Sequence, residues 1–409
     1  MAKRLQQVEC RNTTYISGDW PIIWERAEGA NVWDVDGNRY LDMTSGFGVA
    51  GIGYGFTGDA LREQSSVLMH AMGDVHPARV KVELCEALSE MTFERWGKGK
   101  GKCLFGNSGF EAVEAALKSA VMATGRGGIL SFEGGYHGLG YGALLGAGID
   151  WFRKPFEGQL AKVSERLKFP INGEELEIFS EELGKIDGSR IGAVLVEPIQ
   201  GRGGIIVPPT GFLKILRDWC DESGAILIFD EIYTGFWRTG KLFACDWENV
   251  VPDLICLGKA LSGGFPISVC VGSAEIMDKW PETDGEALHT STFLGNPMGC
   301  AMALEALRRY SDVGCERMVA EATANLLAAA GSLLDLEFVT EIRGRGLMLG
   351  IQTDSGDRVI GAVKKMLKNG IIALPDGPVG DVLAFTPPFS VTVEEIDHAL
   401  RVTLQAFTE

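Results

Sequence analysis

The chain has 409 residues, 46% of them hydrophobic, with 54 glycines and a formal net charge of −17. That length exceeds one simple core and fits two domains, or one large α/β domain with an appendage. The acidic balance disfavours nucleic acid and anionic membranes as partners, and no apolar run is long enough to span a bilayer. The opening Met-Ala-Lys-Arg-Leu-Gln-Gln lacks the apolar stretch of a signal peptide. Nine cysteines without a Cys-x-x-Cys pair read as the reduced thiols of a cytoplasmic protein, and five histidines without ligand spacing offer no metal site.

A polar arm opens the chain. Ala30 to Asp42 reads as two short strands joined at Asp36-Gly37, and a glycine-rich stretch, Ser45 to Gly51, follows. Val80 to Phe93 carries apolar residues at helical spacing and predicts an amphipathic helix on the core. Lys102-Cys103-Leu104-Phe105 then leads through Gly106-Asn107-Ser108-Gly109-Phe110-Glu111 into a helical run, Ala112 to Thr124. Strand, glycine turn and helix start together point free backbone N–H groups at an anion, aided by the helix dipole. Residues 150–190 are weakly patterned and read as loops and a surface helix. Ile191 to Val196 is a buried strand ending in Glu197-Pro198-Ile199-Gln200-Gly201-Arg202, and Phe212 to Glu222 is a helix that crosses to the next strand.

That next strand, Ala225 to Phe229, stops abruptly at Asp230-Glu231, and a further apolar run, Leu254 to Leu257, stops at Gly258-Lys259. Short apolar runs bounded by turn residues read as buried parallel strands, and ligands of open α/β sheets bind at their carboxyl edge. An isolated charge there is costly unless something pairs with it. One pairing is an ordinary ion pair between Asp230 and Lys259. The other is a pyridoxal phosphate (PLP) site, in which a lysine of depressed basicity forms an imine and an aspartate keeps the pyridine nitrogen protonated. From about residue 310 the pattern turns α+β, with helices near 315–335 and 356–369, strands near 337–352 and 382–385, and a last helix capped at Thr392.

Asp230 to Gly240 followed by Leu257 to Gly264 resembles the signature of class III (ω-type) PLP-dependent aminotransferases, and the similarity runs along nearly the whole chain. The resemblance implies an α/β enzyme of fold type I. Its large PLP-binding domain would span 59–305, and a smaller α+β domain would be built from 1–58 and 306–409. By resemblance Lys259 carries the cofactor, Asp230 meets its ring nitrogen, and Ser108, Gly109 and Phe110 cradle its phosphate. Tyr136 stacks on the ring, with His137 in support and Glu197 beside it. Tyr233 either bonds the ring's 3-oxygen or packs. Thr292, in His289 to Pro297, reaches the phosphate of a neighbouring subunit, which implies a homodimer. Phe47 lies in the loop lining the substrate entrance. The implied reaction is ping-pong transfer of an amino group from an amine or ω-amino acid to a carbonyl acceptor; a PLP isomerase, an aminomutase or racemase, is the alternative.

The chain departs from the family where carboxylates are recognised. Ala384 stands at the place of the usual arginine before Pro387-Pro388, and Leu139 stands at that of a second one. Arg202 replaces the glutamate that pairs with the first arginine in a subset of the family. Either Arg202 binds a substrate carboxylate itself, or the substrate has no α-carboxylate near the ring; the plain alternative is that Arg202 points to solvent. Phe110 also stands where a small residue is usual.

Overall fold

The computed structural model describes residues 1–14 and 21–409; residues 15–20 of the polar arm lie outside the described residues. The arm carries a short helix, Ala2–Val8.

Seven strands form the central sheet, in the order 101–106, 268–273, 254–257, 226–230, 191–196, 128–132, 164–167. All neighbours are parallel except Ser268–Ser273, which runs antiparallel to both of its partners. Ile191–Val196, Ile226–Asp230 and Leu254–Leu257 are buried along their whole length. This explains their unbroken apolar runs: a parallel strand covered on both faces has no polar side.

Alternation along these strands sorts the side chains onto two cores. Ala193, Leu195, Ile226 and Ile228 pack with Ala112, Val113, Ala116 and Ala120 of the helix Gly109–Thr124. Val194, Val196, Leu227 and Phe229 pack on the other face with Phe212, Leu213 and Leu216 of the helix Phe212–Ser223. Each fully buried Leu, Ile or Phe contributes roughly 1.5–3 kcal/mol relative to an exposed one. Asp230 continues the parity of Ile226 and Ile228, so it emerges on the side of the helix Gly109–Thr124, at that helix's N-terminus.

Two smaller sheets complete the chain. Strands 24–28, 31–34 and 39–42 form one with Ile371–Ile372, so the N-terminal hairpin is stitched to the C-terminal part. Strands 339–345, 348–353, 382–385 and 374–376 form the other. The last helix, Val393–Thr408, starts with the expected capping box between Thr392 and Glu395.

The strands Trp24–Glu28, Gly128–Phe132 and Ser268–Ser273 are absent from the sequence reading, and two further elements differ from it. The amphipathic helix, Arg79–Ser89, continues into a wider turn, Glu90–Glu94. Ser164–Leu167 is an edge strand of the main sheet, within a stretch read as loops and one surface helix. Ser-Glu-Arg-Leu lacks an apolar run because an edge strand is covered less completely than a central one, so periodicity gave it no signal.

Candidate active site

Asp230 ends its strand almost fully buried. Its Oδ2 lies 2.8 Å from His137 Nδ1, and its Oδ1 accepts the Ile232 N–H at 3.1 Å. Burial alone would lower the basicity of His137, but the hydrogen bond and charge of Asp230, joined by Glu197, outweigh it and raise the imidazole above its ordinary value. Glu197, at the end of its own strand, accepts the N–H of Tyr136 at 2.8 Å and of Gly201 at 2.9 Å. Burial lifts its carboxyl to about 7, against the lowering effect of His137 and those two amides.

Lys259 follows Leu254–Leu257 by two residues and sits at φ +41°, a region that non-glycine residues seldom occupy. Burial pushes its amine down to about 8, although the charges of Asp230, Glu197 and Asp376 favour the protonated form. Its Nζ stands 3.7 Å from the centroid of the Tyr233 ring. That ring is wedged by its two edges. A Cβ on Gly48 would come within 2.6 Å of one edge, and a Cβ on Gly201 within 2.5 Å of the other. The Tyr233 hydroxyl pairs with Thr386 Oγ1 at 3.1 Å, so in this chain Tyr233 packs against Lys259 and spends its hydroxyl on the C-terminal part.

The helix Gly109–Thr124 aims its first turn at the same place. The Glu111 carboxylate folds back to accept the N–H groups of Asn107 at 2.6 Å and Ser108 at 2.8 Å, which fixes the turn. The amides of Gly109 and Phe110 have no acceptor within the helix, by helix geometry. The bulky Phe110 fits because Gly138 and Gly140 give way to it: a Cβ on either would approach Phe110 within 2.4 Å.

Gly109, Phe110, Tyr136, His137, Glu197, Arg202, Asp230, Tyr233 and Lys259 thus line one cavity of about 380 Å³, closed further by Leu139 and Ile232. Three expected residues stand outside it. Ser108 caps the helix just behind. Phe47 lies on a left-handed turn, Ser45 to Gly48, with its ring 62% exposed. Thr292 is exposed as well. Arg202 neither meets solvent alone nor stands unpaired: its Nη1 contacts Asp376 Oδ1 at 2.9 Å, and its side chain is 42% exposed. Sequence reasoning missed Ile232 and Asp376. Ile232 could have been found from its place two residues after Asp230; Asp376, in Leu-Pro-Asp-Gly, looks like any turn.

These donors fit PLP. An amine of lowered basicity, a buried carboxylate locked by a histidine, and a helix N-terminus suited to an anion share one cavity. Fold and site together define a fold type I PLP-dependent enzyme. The description of aminotransferase class III matches residues 15–407, and the chain belongs to that family. It is 35% identical to an acetylornithine aminotransferase of Methanopyrus kandleri over 93% of each chain. It is 36% identical to a [LysW]-aminoadipate semialdehyde/glutamate semialdehyde transaminase of Sulfolobus acidocaldarius over 94% of each. Among solved structures, a PLP-bound amine transaminase from an uncultivated Pseudomonas species superposes with a TM-score of 0.89 at 26% identity, over 98% of both chains. The chain is therefore a PLP-dependent aminotransferase.

Proposed function

We propose that this chain moves an amino group from an amine or ω-amino acid to a keto or aldehyde acceptor, in two half-reactions at the cavity around Lys259. The observation that carries this reading is the placing of Lys259, its amine lowered to about 8, in one cavity with the buried Asp230–His137 pair. PLP, when bound, supplies an aldehyde to hold the substrate nitrogen and a ring to take up electrons.

The chain's own groups have distinct tasks. Lys259 Nζ, about half neutral at pH 8, would serve as the nucleophile toward that aldehyde and, once free, as the group that holds and moves the substrate proton. Asp230, held by His137 and the Ile232 amide, offers its carboxylate to a protonated ring nitrogen. The amides of Gly109 and Phe110 bind the phosphate, with Ser108 capping the turn, and Ile232 and Tyr136 supply the walls for a flat ring. Glu197 and Tyr233 hold the sides of the site, Tyr233 by keeping the lysine amine over its ring. Arg202 and Phe47 belong to the substrate side.

A second copy of the chain completes the site in this reading. Val67, Met69, Met72, Val75 and Phe293 are large, apolar and exposed. The two segments that carry them lie side by side, since the His70 and Phe293 rings lie 5.4 Å apart and Asn296 Nδ2 donates to the Met69 carbonyl. Exposed apolar patches of this kind mark protein interfaces, and Thr292 is exposed next to Phe293, which supports a role toward a neighbour's phosphate. We also read 59–305 as the large domain and 1–58 with 306–409 as the small one. The pairing of Ile371–Ile372 with Arg39–Asp42 supports that division. Nine unpaired cysteines support a reducing, cytoplasmic setting. Among the described residues no helix is long and apolar enough to cross a membrane.

The visible spectrum of the purified protein tests the reaction. Transamination requires an amine donor alone to bleach the cofactor band, and a keto acid to restore it. Turnover of a substrate with no added acceptor, and unaided return of the spectrum, would favour an isomerase instead.

A further inference from the structure

The cavity contains one basic side chain that the reaction chemistry does not use. Lys259 and Arg202 are the two Lys or Arg residues among its lining side chains. Arg202 is fixed from two sides. Its carbonyl accepts the Gly377 N–H at 3.2 Å, and its Nη1 meets Asp376 Oδ1 at 2.9 Å. Asp376 belongs to the strand Leu374–Asp376 of the C-terminal sheet and is 6% exposed. The ion pair therefore crosses from the loop after Glu197 to the C-terminal part. A guanidinium has five N–H donors in a planar fork, and Asp376 engages the fork through Nη1, while the side chain remains 42% exposed.

A guanidinium left alone beside an apolar cavity would pay for its desolvation and would repel an incoming ammonium. Asp376 offsets both. It also leaves the outer donors free for a second, planar acceptor, which is the geometry in which arginine binds carboxylates. An enzyme that takes two different substrates in turn into one cavity gains from such a half-neutralised cation.

We propose that Arg202 is the carboxylate-binding group of this cavity and that Asp376, paired with it, sets how strongly its charge is felt. This rests on the transamination reading above. The group that selects the substrate then sits in the loop after Glu197, and its counter-charge comes from Asp376.

The test uses the PLP-loaded protein and follows the cofactor band during the first half-reaction. The donors form matched pairs in which a methyl group replaces the carboxylate: alanine and isopropylamine, β-alanine and propylamine, 4-aminobutyrate and butylamine. In the wild type the best carboxylate donor should saturate at lower concentration than its match. Arg202→Ala should raise that half-saturation about 10- to 100-fold without raising that of the matched amine. Asp376→Asn should act with opposite signs, lowering it for the carboxylate donor and raising it for the amine, each by roughly threefold or more. A merely structural role would weaken both donors together. Should Asp376→Asn fail to retain cofactor, Arg202→Lys decides, since it should keep part of the carboxylate preference that Arg202→Ala loses. Equal effects of Arg202→Ala on both members of a pair, or a wild type that favours the plain amines, would overturn the subsite while transamination stands. Failure of every donor to change the spectrum would overturn both.

Discussion

His137 Nδ1 lies 2.8 Å from Asp230 Oδ2, and the two side chains are 1% and 5% exposed. In the proposed reaction the pair is a buried support for the carboxylate offered to the cofactor ring. Removing the imidazole leaves Asp230 with one amide donor, from Ile232, in a site where burial favours the neutral acid. His137→Ala should therefore weaken PLP retention and slow the first half-reaction, each about 5- to 100-fold, while His137→Asn, which keeps a donor, should lose less. Equilibrium dialysis against PLP and single-turnover kinetics measure the two effects. The pair also fixes a sign for stability. His137 is raised above 6.5 in the folded protein, so its contribution is complete below about pH 6.5 and is lost as the pH rises through the raised value. The gap in urea midpoint between wild type and His137→Ala should be wider at pH 6 than at pH 9.

Lys259 is pushed the other way. Its amine is lowered to about 8, chiefly by burial, and the neutral amine is the nucleophile. Capture of PLP by the cofactor-free protein, followed by stopped flow, should slow about tenfold per pH unit below 8 and level off above it. An unshifted lysine, at 10.5, would keep gaining rate through pH 9, and that result would refute the assignment. Lys259→Ala should lower turnover by at least about a hundred- to ten-thousandfold while PLP still binds without being fixed by borohydride.

What could be read from the sequence follows how each residue is buried. Ile191–Val196 and Leu254–Leu257 were legible to the residue because strands covered on both faces have no choice but to be apolar. Asp230 and Lys259 were legible because a charge that ends such a run needs a purpose. The edge strand Ser164–Leu167 carried no such pressure and was missed. Asp376 was illegible for a different reason. It acts through Arg202, 174 positions away in sequence, and no local pattern announces a contact made only when the C-terminal sheet docks on the loop after Glu197. Phe47 and Thr292 illustrate a third case: one chain leaves both exposed, and the roles proposed for them rest on the proposed second copy.

The exposed patch around Phe293 supplies that test. Phe293→Asp places a charge among Val67, Met69, Met72 and Val75. Such a charge is costly to bury but harmless in water. Light scattering should then find a monomer with unchanged far-ultraviolet circular dichroism, and PLP should dissociate faster. Thr292→Val removes one hydroxyl and should weaken PLP binding about 3- to 30-fold without changing the mass of the particle. A monomeric wild type that is fully active would dismiss the shared site.

The placing of Tyr233 makes the sharpest claim about geometry. Its ring carries the Lys259 amine 3.7 Å from its centroid and is wedged between Gly48 and Gly201 at opposite edges. Gly201→Ala would set a methyl 2.5 Å from one edge, and the ring or the loop must move. Gly48→Ala adds a second cost, because Gly48 sits at φ +82°, where a side chain is strained. Overpacking of this kind costs about 1–3 kcal/mol of stability. The larger loss should be in turnover, on the order of a hundredfold, because a 1 Å displacement of a catalytic group is enough for that. Tyr233→Phe removes only the hydroxyl that meets Thr386 and keeps the ring, so it should cost about 1 kcal/mol of stability or less and change turnover by no more than a few-fold. If the ring matters as a wedge that aims Lys259, the two alanine variants will be slower than Tyr233→Phe. If the hydroxyl matters through a bond to the cofactor, the order will reverse.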